Sequence, residues 1–197
     1  MKRILILLLF FAISQANLNF AYSISPDVFI QSTVNRASQI LSENISKEEK
    51  INQLKIIAKE TVDIRGVGFY SLGAVRNDLN NDQKNTYINL FENYFLKSFS
   101  SRLSEYTNPE IEVKNKQILN NNYTIVNSVL IATDKRPEIK IDWRVYTKNP
   151  ENPLIRDLII EGLSLARTQK EEFASILNSN DGDLKVLFKI LEDFSKN

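Results

Sequence analysis

The sequence contains no histidine and no cysteine. Without histidine there is no imidazole general base, and without cysteine there is no thiolate nucleophile. The Ser-His-Asp and Cys-His layouts and the usual zinc ligand sets are therefore closed. A disulfide framework is excluded, as is a lipidated N-terminal cysteine of the bacterial lipoprotein kind. Catalysis, if any, would have to rest on carboxylates, Lys, Tyr and Ser. A charge excess is missing too: 25 Lys and Arg stand against 24 Asp and Glu, a net charge of +1, with a pI near 7.8. No segment concentrates basic residues among aromatics as a nucleic-acid groove would, so nucleic acid is not expected as a partner. No apolar run reaches the roughly 20 residues that span a bilayer. No internal repeat or low-complexity linker interrupts the chain.

What is present begins with an export signal. Lys2 and Arg3 precede an apolar run from Ile4 to Ile13. Small-residue sites follow at Ser14-Gln15-Ala16 and Ala21-Tyr22-Ser23, the pattern of a cleaved secretory leader. The expectation is a signal peptide over 1–23, cut after Ser23, and a single exported domain over 24–197, close to neutral and untethered.

Within that domain the pattern runs helices, strands, helices. Ser25-Pro26 opens a helix with Phe29, Val34, Ala37 and Leu41 on one side. Ser46 and Glu49 form a capping-box signature ahead of Ile51, Leu54, Ala58 and Val62. From Asp82 to Tyr106 the positions Tyr87, Leu90, Phe91, Tyr94, Phe95, Phe99, Leu103 and Tyr106 give a long helix with a broad aromatic face, which something large must cover. Ile111-Glu112-Val113 alternates as a strand. Tyr123 to Ala132 and Glu138 to Tyr146 flank Thr133–Pro137 as a hairpin. In its second arm Ile139, Ile141, Trp143 and Val145 share one face, and Lys140, Asp142, Arg144 and Tyr146 the other. Thr168 with Glu171 caps a further helix, and a last one runs from Asp183. These elements predict an α+β fold with an antiparallel sheet of about four to five strands wrapped by N- and C-terminal helices.

The run Leu154 to Leu165 is the best place to look for chemistry, and it offers little. Gly162-Leu163-Ser164 resembles the start of a nucleophile elbow, but Ala166 stands where the second glycine belongs and no histidine exists to partner the serine. As a strand, four residues at roughly 3.3 Å put Asp157 and Glu161 about 13 Å apart. A glycosidase pair needs roughly 5 to 9.5 Å. The opposite face would carry Leu154, Leu158, Ile160 and Gly162, as core or as the wall of an apolar pocket. An enzyme using Asp142, Asp157 or a Tyr on a small apolar substrate, and an interaction domain with a solid core, both remain open on these residues.

Three stretches together resemble the MlaC family of periplasmic phospholipid-binding proteins, the toluene-tolerance auxiliaries of ABC transporters. They are Arg136-Pro-x-Ile-Lys-Ile-Asp-Trp-Arg144, Arg156-Asp157-Leu-Ile-Ile-Glu161-Gly162-Leu-Ser164-Leu165, and Thr168-Gln-Lys-Glu-Glu-Phe173. Val62-Asp63, Leu72-Gly73 and Asp82-Gln83-Lys84 fall where that family has corresponding features; Arg76 departs from it, standing where an aromatic is expected. The resemblance implies a curved sheet, NTF2-like in outline, with acyl chains between sheet and helices. It implies a monomeric periplasmic carrier with no reaction, no cofactor and no metal. Its ligand would be glycerophospholipid, exchanged between an outer-membrane lipoprotein complex and an inner-membrane ABC transporter with its substrate-binding subunit, so maintaining outer-membrane lipid asymmetry. The alternative is an exported NTF2-like enzyme. The side chains expected at the lipid are Phe69, Leu72, Phe91 and Phe95 from the helices. From the strands they are Ile125, Val129, Ile131, Ile139, Ile141, Trp143, Val145, Leu158 and Ile160. Asp63, Arg144, Asp157 and Glu161 would serve structure or face a partner.

Overall fold

The computed structural model describes residues 23–196; the expected leader, residues 1–23, falls outside them except for Ser23. Four helices come first: α1 (Pro26–Ser42), α2 (Lys47–Thr61), α3 (Ile64–Ser71) and α4 (Asn81–Leu103). Five strands follow, β1 (Ile111–Asn120), β2 (Tyr123–Leu130), β3 (Ile139–Tyr146), β4 (Leu154–Ile160) and β5 (Leu163–Ser164), and then α5 (Leu165–Asn178) and α6 (Leu184–Lys196). The strands form one open antiparallel sheet in the order β1-β2-β3-β4-β5. This is the α+β arrangement that the succession of periodicities predicts. Among the described residues no helix is long and apolar enough to cross a membrane.

The helices begin where their caps dictate. Ser46 accepts the Glu49 N–H at the head of α2, and Asn80 and Gln83 close a reciprocal capping box at the head of α4, satisfying amides that would otherwise lack partners. Helix α5 starts earlier than the Thr168 signal suggests. Ser164 is its N-cap, accepting the Arg167 N–H at 3.1 Å, and Thr168 lies inside the helix with its hydroxyl donated to the Ser164 carbonyl. Helix α3 is absent from the sequence expectation. Asp63 caps it by accepting the Gly66 N–H at 2.8 Å, and Gly68 lets α4 approach so closely that a Cβ there would lie 2.8 Å from Phe91.

The expectation for β4 needs correction. Its ladder with β3 pairs Val145 with Ile155 but Arg144 with Asp157, so Arg156 is an extra residue that bulges out. A bulge reverses the parity of everything beyond it. Ile155, and not Leu154, therefore takes the inward place before Leu158 and Ile160, and it is buried. The strand also stops before Glu161. Glu161 and Gly162 both have positive φ, 49° and 83°, and form the two-residue turn that joins Ile160 to Leu163. Strand β1, expected only over 111–113, runs on to Asn120.

One joint ties the helical layer to the sheet. Val62 bridges Ile155, and the Asp63 N–H donates to the Ile155 carbonyl at 2.9 Å. The bulged Arg156 donates to Asp63 Oδ2 at 2.7 Å from Nε, with Nη2 at 2.6 Å. Its Nη1 reaches the Tyr123 hydroxyl at 2.6 Å, and its guanidinium lies 3.6 Å from the Tyr146 ring centre. At the other side of the sheet, α1 is held to β1 by the Lys116–Asp27 pair at 2.7 Å and by Gln31, which accepts the Val113 N–H. The Lys116 ammonium and the Ser25 hydroxyl hold the Asp27 carboxyl down at about 2.

Arg156 acts through a planar fork and a stacked face, neither of which an ammonium reproduces. Arg156→Lys is expected to lower unfolding free energy by about 1–2 kcal/mol, a figure reduced for the partial exposure of the pair. Urea denaturation followed by circular dichroism measures it; an unchanged midpoint would show that the joint is held by its backbone bonds alone.

Candidate functional site

Between the sheet and α1, α2 and α4 the packing leaves an apolar slot. About 900 Å³ lies between the atoms, open solvent at its mouth included, and the centre of a water molecule can range over about 130 Å³ of it. Helix α1 contributes Val34, Ala37 and Leu41, and α2 contributes Leu54, Ile57 and Ala58. The far end of α4 and the segment after it supply Phe99, Leu103, Tyr106 and Pro109. The sheet supplies Ile111, Leu130, Ile141, Trp143, Ile155, Leu158 and Ile160. Tyr106, 38 % exposed, marks the mouth.

The lining makes almost no polar demand on an occupant. Its threonines have already spent their hydroxyls: Thr33 donates to the Phe29 carbonyl at 2.9 Å and Thr61 to the Ile57 carbonyl at 2.7 Å. Trp143 gives its indole N–H to Ser128 Oγ at 2.8 Å, and Ser128 passes its own proton to the Ile141 carbonyl. Such groups are buried at little cost because each has a partner. What remains of the lining is methyl, methylene and ring, with the hydroxyl-bearing Ser38 and Tyr106 as the exceptions.

A second, smaller slot adjoins the first. It has about 530 Å³ between atoms and is lined by Val67, Phe95, Leu165, Ala166 and Gln169. The two slots share Val62, Phe99, Ile155 and Leu158 as their common wall.

The expected site residues divide. Ile141, Trp143, Leu158 and Ile160 meet at the first slot, and Phe95 at the second. Ile139 and Val145 lie on the Trp143 face of β3 but pack in the core instead, Val145 with no exposure at all. Phe69, Leu72 and Phe91 belong to the packing of α3 with α4, α5 and α6, where Phe91 stacks on Phe95 and meets Phe173 edge-on. Ile125, Val129 and Ile131 are out of step. Ile125 pairs with Arg144 and Val129 with Lys140, so they occupy the sheet face opposite Trp143, and Ile131 lies just beyond the end of β2. The inward residues of β2 are Thr124, Val126, Ser128 and Leu130. The aromatic helix likewise divides. Tyr87 and Phe91 are covered by other helices, Tyr87 donating its hydroxyl to the Gly68 carbonyl with burial pushing its titration up. Phe99 and Leu103, nearer the C-terminus, face the slot. The α1 and α2 contributors were visible as amphipathic faces, though nothing in their spacing separates cavity wall from core.

The polar candidates are engaged in structure. Asp63 caps α3 and pairs with Arg156. Asp157 accepts the Ser164 hydroxyl at 2.6 Å and the Ala166 N–H at 3.0 Å, fixing the start of α5. Glu161 accepts the Lys140 N–H at 2.6 Å. Arg144 sits opposite Asp157 in the ladder, its Nε shielded from solvent without a partner among the described residues. Asp142 accepts from Asn127 at 2.7 Å on the face away from the first slot. Among the described residues no cluster of acids could hold a metal ion.

The family model described as MlaC protein matches residues 31–193. No curated protein matches the chain. Among solved structures, a phospholipid-binding protein from Ralstonia solanacearum, in complex with a phospholipid, is similar with a TM-score of 0.74 and 16 % sequence identity. The match covers 88 % of this chain and 98 % of that one. At that identity the likeness is one of fold.

A slot and a packed core answer differently to added volume. Leu158→Trp places its ring in open space, so the ligand-free protein should stay within about 1 kcal/mol of the parent. Val145→Trp overfills a closed site and should cost about 1–3 kcal/mol or more. Chemical denaturation of both delipidated variants makes the comparison, and an equal large loss would mean that the Leu158 site closes in solution.

Proposed function

Because this chain belongs to the MlaC family, we propose that it is a periplasmic carrier of glycerophospholipid, holding acyl chains in the slot between α1, α2, α4 and the sheet. The observation that carries this reading is the slot's chemistry: an almost wholly apolar lining between helices and sheet, on a fold shared with a protein solved with phospholipid bound. In this reading residues 1–23 are a leader removed on export and 24–197 are the working domain.

The energetics favour such an arrangement. Each methylene exposed to water costs roughly 0.8 kcal/mol, so two ordinary acyl chains amount to on the order of 20 kcal/mol. Free lipid cannot cross an aqueous space at a useful rate against that barrier. A slot that substitutes for the bilayer interior brings the net transfer near zero, so small affinity differences between partners set the direction of hand-off. The partners in this proposal are an outer-membrane lipoprotein complex and an inner-membrane ABC transporter with its substrate-binding subunit, with asymmetry of the outer membrane as the outcome. No reaction is required of the carrier. This accords with the absence of histidine and cysteine and with Asp142 and Asp157 being held by neighbouring residues.

Native mass spectrometry of the protein purified from the periplasm tests the proposal. The expected spectrum shows the chain beginning near Ile24, carrying a mass that dissociates as intact diacyl phospholipid. A chain that remains empty after export and after incubation with phospholipid vesicles would overturn it.

A further inference from the structure

We propose, resting on the carrier reading above, that Arg136 binds the phosphate of the lipid whose chains occupy the first slot. Arg136 lies in the loop between β2 and β3, in the turn closed by the Thr133 N–H donating to the Arg136 carbonyl at 2.8 Å and by the reciprocal bond at 3.2 Å. Its guanidinium carbon is 5.6 Å from the centre of the Tyr106 ring, the exposed residue at the slot's mouth. One end of the fork is already fixed, Nη2 donating at 3.0 Å to the carbonyl of Ile131, the residue after the lining Leu130. The cation thus stands beside the opening, held by its own turn.

Arg136 has capacity to spare. Its Nε is shielded from solvent and has no hydrogen-bond partner among the described residues. It also forms no ion pair among them, although Glu110, Asp134 and Glu138 are close in sequence to this end of the sheet. A shielded donor without an acceptor is a standing cost, and a guanidinium fork matches the oxygens of a phosphate. An amphiphile that buries its chains leaves its polar end at the mouth. The phosphate of a glycerophospholipid is a few bonds from its ester groups, and so comes to lie near Tyr106 and Arg136. The threonine hydroxyls and the indole N–H of the lining are internally bonded, and the neutral hydroxyls of Ser38 and Tyr106 that remain bind a phosphate less strongly than a guanidinium does. The slot then selects an anionic phosphoryl amphiphile over a neutral glyceride with the same chains, whatever substituent the phosphate carries.

The test offers delipidated protein an equal mixture of dioleoyl phosphatidylglycerol and dioleoylglycerol in a non-ionic detergent, and reads the bound ratio by mass spectrometry. The unaltered protein should favour the phospholipid by about tenfold or more. Arg136→Gln should remove most of that preference while diacylglycerol uptake stays the same, and Arg136→Lys should keep part of it. Raising the sodium chloride concentration should lower the ratio in the unaltered protein, a reading that does not depend on how the variants fold. Uptake of both lipids without preference, or an unchanged ratio in folded Arg136→Gln, overturns the phosphate assignment and leaves the carrier reading standing. Uptake of neither lipid by the unaltered protein overturns both. Binding of inorganic phosphate alone, lost in Arg136→Gln without any lipid preference, would assign the arginine to a free anion and also overturn the inference.

Discussion

The joint at Asp63, Ile155 and Arg156 is the constraint on which the remaining architecture depends. A sheet and a helical layer with apolar faces close on one another unless something fixes their separation. Here one side is held by backbone bonds and a stacked, hydrogen-bonded arginine, which the β4 bulge turns out of the ladder toward Asp63, and the other by the bonds of α1 to β1. Beyond that joint, α1 and α2 run along the inner face of the sheet with space between them. An apolar void of this kind is unfavourable, at roughly 24 cal/mol per Å³, on the order of 3 kcal/mol for the space open to water-sized spheres. An apolar occupant recovers that free energy, which makes the empty form the less stable one and gives the slot an affinity for acyl chains that needs no polar contact along its walls.

The same logic explains how the aromatic helix is used. Toward its N-terminus α4 packs tightly: Gly68 admits Phe91, and Tyr87, Phe173 and Phe188 complete a closed cluster. Toward its C-terminus the rings of Phe95 and Phe99 stack 5.4 Å apart and line the two slots. A closed core at one end thus anchors the wall of the slots at the other. The wall between the slots consists of side chains such as Phe99 and Leu158.

Much of this was legible in the residues, and the misses have physical causes. Strand β3 was readable because Ile139, Ile141, Trp143 and Val145 alternate with polar residues and no bulge interrupts them. Strand β2 was readable as a strand but not as to its faces, since Val126 and Leu130 on one side are matched by Ile125 and Val129 on the other. That ambiguity put Ile125 and Val129 on the wrong side of the sheet. In β4 the bulge at Arg156 reversed the alternation, which no periodicity in seven residues can reveal. Helix α3 is short and carries Gly66 and Gly68, chosen for close approach and not for helix propensity. The polar run from Lys114 to Gln117 hid the length of β1, because an exposed edge strand needs no apolar face.

The central claim is that acyl chains enter the slot between α1, α2, α4 and the sheet, and Trp143 is placed to report on it. It is the only tryptophan in the chain and its indole lines that slot. The direct measurement is Trp143 fluorescence after loading delipidated protein with phosphatidylcholine brominated along one acyl chain, against the same lipid without bromine. Strong quenching by the brominated lipid alone, at matched occupancy measured by mass spectrometry, is the predicted result. Equal emission from the two fully loaded forms would place the chains elsewhere and contradict the account.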